Sequence, residues 1–92
     1  MSNIHLCELY YNTSPYTNYV KLCDMLKKSC KYDIVKTINI VFYIRDCRNG
    51  KGYRSIARQC YQWLLFNYPD EFKEVLHYIP NVGRWDDLYS IF

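Results

Sequence analysis

The stretch Ile34-Val35-Lys36-Thr37-Ile38-Asn39-Ile40-Val41-Phe42-Tyr43-Ile44 sets the strongest limit on what this chain can fold into. Its β-branched residues favour a strand by propensity. Its spacing favours a helix, because Ile34, Ile38, Val41 and Phe42 fall at i, i+4, i+7 and i+8 on one face. Val35, Ile40, Tyr43 and Ile44 then have to pack elsewhere. A helix that is apolar nearly all round belongs at the centre of a helical domain. Asp33 stands where an N-cap is needed.

The flanking sequence is punctuated for more helices. Residues 1–14 lack sustained periodicity and are read as an irregular N-terminal segment, leaving 15–92 as a single helical domain. Ser14 as N-cap and Pro15 at the first helical position open a helix over 15–30, with Tyr16, Tyr19, Val20, Cys23 and Leu26 at helical spacing. Lys21, Lys27, Lys28 and Lys31 lie on or near its wet side. Asn49-Gly50-Lys51-Gly52 ends the central segment, since glycine relieves the φ > 0 penalty of a helix terminus. A further helix spans 53–67, with Ile56, Ala57, Cys60, Trp63 and Leu64 on one stripe. Pro69 starts the next, whose buried face is Phe72, Val75, Leu76 and Ile79, and Pro80 stops it. A last helix places Trp85, Leu88, Tyr89 and Phe92 at i, i+3, i+4 and i+7. The expectation is an all-α domain of four to five short antiparallel helices.

At 92 residues the chain can hold one modest core, to which eleven Tyr, four Phe and two Trp contribute much of the area. Five cysteines, odd in number and without a C-x-x-C pair, fit neither a disulfide framework nor a zinc knuckle. They read as reduced thiols. The start Met1-Ser2-Asn3-Ile4-His5 lacks the regions of a signal peptide, and no run reaches the ~18 apolar residues of a membrane span. The expected location is cytoplasmic. Ile, Asn, Lys and Tyr make up 33 residues while Ala occurs once, a bias that A/T-rich coding produces and that points to a viral or protist source, hence the host cytoplasm if viral.

Charge is unevenly spread. Arg45, Arg48, Lys51, Arg54 and Arg58 stand against Asp46, whereas Asp70, Glu71, Glu74, Asp86 and Asp87 stand against Lys73 and Arg84. One face should attract polyanions and another repel them. The basic run admits three readings. Gly50-Lys51-Gly52 ahead of a helix can cradle a phosphate on backbone N–H groups. Arg54 and Arg58, one helical turn apart, can track a nucleic-acid backbone together with Arg45, Arg48 and Lys51. The same charges can equally be solvated or paired with nearby carboxylates. A nucleotide-binding P-loop is excluded, because Arg45 and Gly52 stand where it requires Gly and Ser/Thr.

Nothing in the sequence suggests an enzyme, a metal site or a cofactor. Asp86 and Asp87 are adjacent, so on a helix they point about 100° apart and lack a third ligand. His5 and His77 have no partner pattern, and Cys47 has no histidine-containing motif beside it.

The pattern Arg45-Asp46-x-Arg48-x-Gly50-Lys51-Gly52-x-Arg54, then a helix of about 15 residues, then Pro69-x-x-Phe72 and Ile79-Pro80-x-x-Gly83-Arg84-Trp85-x-Asp87-Leu88, carries a family resemblance over 34–92. It is similar to the N-terminal helical region of a domain-of-unknown-function family of plants and large DNA viruses, related to the TROVE module of the Ro RNA-binding proteins. The resemblance implies a fragment of a HEAT-like α-solenoid and an RNA role carried by Arg45, Arg48, Lys51, Arg54 and Arg58. In that family the helical region precedes a von Willebrand A-like domain with an Asp-x-Ser-x-Ser motif, which does not occur here. Tyr53 stands where members usually have an acidic residue.

Two functional classes follow as expectations. One is a helical module that binds RNA through charge and shape, with tyrosine rings available for stacking. The other is a protein-interaction or oligomerisation module, or a truncated relic of a larger protein, docking a partner or a second copy through Trp85, Leu88, Tyr89 and Phe92. Neither involves a membrane.

Overall fold

A computed structural model describes residues 4–47 and 51–77. They form five α-helices: α1 (Ile4–Asn12), α2 (Tyr19–Tyr32), α3 (Ile34–Cys47), α4 (Lys51–Asn67) and α5 (Pro69–Leu76). No strand occurs among the described residues, so the fold is all-α and the helical spacing of 34–44 prevails over its β-branched propensity. The expected helix through Trp85 to Phe92 lies outside the described residues.

The central position of α3 follows from its sequence. It packs against α1, α2, α4 and α5. Thr37, Ile38, Val41, Phe42 and Ile44 are buried, Ile34 and Ile40 pack at the core's margin, and Val35 and Tyr43 stay exposed. Asp33 closes α2 and opens α3 at once: its N–H donates to Ser29 O at 2.8 Å and its Oδ1 accepts from Lys36 N at 3.0 Å. Each helix packs on the next and on the next but one: α1 on α2 and α3, α2 on α3 and α4, α3 on α4 and α5, and α4 on α5.

Two N-terminal expectations are corrected. Residues 4–12 are helical rather than irregular, because Leu6, Leu9 and the following Thr13 form a short buried stripe against α2 and α3. The second helix starts at Tyr19 rather than residue 15. Ser14 and Pro15 make a turn instead, with Thr17 N donating to Ser14 O at 3.1 Å, Ser14 N to Thr17 Oγ1 at 2.8 Å and Tyr16 N to Ser14 Oγ at 3.2 Å. Asn18 is the N-cap, its Oδ1 accepting from Lys21 N at 2.8 Å. The buried stripe of α2 is Leu22, Met25, Leu26, Ser29 and Cys30, while Tyr16, Tyr19 and Val20 are exposed.

The core is one cluster running from Leu9 of α1 to Val75 of α5. Where α3, α4 and α5 meet, Phe42, Tyr61 and Phe72 form a triangle of rings with centroids 5.3 to 6.2 Å apart. α5 begins as its sequence dictates, with Pro69 in the first turn and Asp70 and Glu71 at the positive end of the helix.

Candidate functional site

The basic run spans the end of α3 and the start of α4. Arg45 sits half-buried in the last turn of α3, where a cation suits the negative helix end. α4 begins at Lys51, so Lys51 and Gly52 belong to its first turn rather than to a loop ahead of it. Arg54 and Arg58 follow at i, i+4 spacing, both exposed, and the first turn of α4 has no acidic residue. Arg48 and Gly50 lie outside the described residues, as do Trp85, Leu88, Tyr89 and Phe92. Within the described residues the structure therefore brings Arg54 and Arg58 to one outer face. Of the acidic side expected from the sequence, Asp70, Glu71 and Glu74 are exposed on α5, while Asp86 and Asp87 lie outside the described residues.

Between α1 and α3 lies a groove that sequence reasoning missed, with a volume of about 420 Å³. α1 contributes Leu6, Cys7, Tyr10 and Tyr11, and α3 contributes Lys36, Asn39, Ile40 and Tyr43. The Tyr10 ring meets Tyr11 edge-on, with centroids 4.8 Å apart and planes at 83°, and lies 5.7 Å from Tyr43 at 56°. Tyr11 is 70 % exposed and Tyr43 54 % exposed. Asn39 Nδ2 donates to Val35 O at 3.1 Å, which holds the amide against its own helix. The signal was available in the recurrence of Leu6, Leu9, Tyr10 and Thr13, but it covers barely two helical turns.

A second concavity is more polar and is lined by Lys27, Trp63, Asn67 and Tyr68. Trp63, expected on a buried stripe, is half-buried there, its ring centroid 6.0 Å from that of Tyr68. Asn67 Nδ2 donates to Trp63 O at 2.9 Å.

The thiols divide by burial. Desolvation pushes the Cys30 thiol up to about 12, and it raises Cys60 further, with the neighbouring Cys23 and Cys30 adding to the rise. Protonated, buried thiols of this kind are poor nucleophiles. Cys7 is exposed in the tyrosine groove. Among the described residues no three His, Cys, Asp or Glu side chains converge as a metal site would need, and no helix is long and apolar enough to cross a membrane.

Comparison with known families gives one match. The model of a domain of unknown function, DUF2828, covers residues 1–88, which includes the N-terminal helix pair as well as the later motifs. No curated protein and no solved structure matches the chain.

Proposed function

The chain belongs to the DUF2828 family, and from that premise we propose that it is a non-enzymatic, cytoplasmic module that binds RNA through the outer face of α4. The observation that carries this reading is the pair Arg54 and Arg58, exposed one turn apart on a helix whose first turn has no carboxylate. Cations near a helix N-terminus oppose the macrodipole, and a phosphate backbone alongside would reverse that cost. Arg45, Arg48 and Lys51 extend the same track. The kinship with TROVE-type modules, and a source among large DNA viruses, belong to this proposal too. The packing of each helix on its next and next-but-one neighbours supports a short segment of a HEAT-like solenoid, in which contacts are local along the chain.

The test is RNA binding as a function of salt. Three to four phosphate contacts give a log–log slope of about −2 to −3 on single strands, because each neutralised phosphate releases counterions. Arg54→Gln with Arg58→Gln should flatten that slope by about 1 while leaving the helical circular dichroism unchanged. If the wild type binds no RNA at low salt, or the double variant has the wild-type slope, the reading fails. A docking module acting through Trp85, Leu88, Tyr89 and Phe92 then stands in its place.

A further inference from the structure

The groove between α1 and α3 has a chemistry that its apolar floor alone does not explain. Buried Leu6 and half-buried Ile40 form the base, but the walls are three phenol rings rather than aliphatic side chains. Tyr10 and Tyr11 stand nearly perpendicular, so the pair offers both a ring face and a ring edge, and Tyr43 tilts across from the other helix. Such rings offer a planar aromatic guest both face-on and edge-on contacts. Lys36 and Asn39, three residues apart on α3, put a cation and an amide on the same lining, and no acidic residue lines the groove to repel an anion. Its volume falls within the range of small-molecule sites, roughly 300–1,000 Å³.

We infer that this groove seats an unpaired base of single-stranded RNA against the exposed rings of Tyr11 and Tyr43, with Lys36 facing the adjoining phosphate. The inference rests on the RNA reading above and deepens it: the arginines of α4 supply sequence-independent attraction, and the tyrosine groove supplies selection for unpaired over paired RNA. A base in a duplex keeps both faces stacked on its neighbours and cannot enter. Tyrosine stacking is sequence-tolerant because every base has a π face.

The experiment uses unstructured oligouridylate and a duplex RNA of equal length as probes, with two readouts. The first is affinity against salt for Tyr11→Ala and Tyr43→Ala. Both side chains are more than half exposed, so the substitutions leave the fold intact. Each should weaken oligouridylate binding about 5- to 100-fold, the range seen when a stacking ring is removed. The salt slope should stay at its wild-type value, because no charge is lost. The second readout needs no variant: Cys7 lines the groove and is exposed, so oligouridylate should slow its alkylation by iodoacetamide, followed by peptide mass spectrometry, whereas duplex RNA should not. Wild-type affinity in both tyrosine variants, or unchanged Cys7 alkylation when oligouridylate is bound, overturns the groove assignment while the α4 reading survives on its salt slope. Equal protection of Cys7 by the duplex also overturns it. Absence of any RNA binding by the wild type removes both.

Discussion

Replacing Phe72 by alanine tests whether the five helices share one core. Phe72 is fully buried on an eight-residue helix, and its ring lies 6.2 Å from both Phe42 of α3 and Tyr61 of α4, nearly parallel to the former at 8°. A buried phenylalanine hides about 150–250 Å². At about 25 cal/mol per Å² that corresponds to about 4–6 kcal/mol of transfer free energy, in line with the about 3–5 kcal/mol that Phe→Ala costs in measured cores. A domain of this length has about 5–14 kcal/mol of total stability, so the variant should lose about a fifth or more of it. α5 is also too short to stay helical without its packing. Urea unfolding followed by circular dichroism gives the total, and amide exchange resolves which helices open. The expected result is a cooperative transition at lower urea, with protection falling in α3 and α4 as well as α5. A loss below about 1 kcal/mol would refute the burial argument. A loss of protection confined to α5, with α2 and α3 as in wild type, would refute the single cooperative core.

Two further outcomes are expected. Ser29 and Thr37 are fully buried and bonded across α2 and α3; since the Thr37 hydroxyl donates to Asp33 O at 2.8 Å, Ser29 must donate to Thr37. Thr37→Val should cost about 1–3 kcal/mol because it orphans the buried Ser29 hydroxyl, Ser29→Ala about 1 kcal/mol because Thr37 keeps its bond to Asp33 O, and the double variant less than their sum by urea melts; strict additivity would deny the coupling. The thiols predict a pH effect. Burial holds Cys60 protonated in the folded state above its ordinary value of 9.0 and raises Cys30 likewise. Their contribution is complete below about pH 9 and is lost as pH rises toward 12, at about 1.4 kcal/mol per pH unit for Cys60. Urea midpoints that do not fall above pH 9, relative to Cys60→Ala, would contradict it.

The sequence was most legible where periodicity was long and its ends were chemically marked. α5 carries Pro69, Asp70 and Glu71 at its start and Phe72 and Val75 inside, and it folds as that pattern reads. α4 shows its stripe of Ile56, Ala57, Cys60 and Leu64, although Tyr61 joins the core and Trp63 only half enters it. The N-terminal third was misjudged for a physical reason. Ser14-Pro15 is an equally good turn and helix start, and the choice between them depends on Asn18, whose side chain reaches Lys21 N and moves the first helical turn four residues on. Tyr16 lies in that turn and Tyr19 and Val20 in the first turn of α2, all three exposed.

The tyrosine groove has the same origin. α3 is apolar nearly all round, and the sequence leaves open which neighbour covers each side. Its 14 residues span about 21 Å, whereas the nine residues of α1 span about 14 Å. A shorter helix laid on a longer one leaves part of its flank uncovered, and on this flank Val35, Lys36, Asn39 and Tyr43 remain exposed. The uncovered strip of α3 and the facing side of α1 line the groove with three tyrosines, one lysine and one asparagine beside Leu6, Cys7 and Ile40, with no carboxylate among them. The turn at Ser14–Thr17 ends α1 at Asn12, and the strip of α3 left open is where the proposed base would be seated.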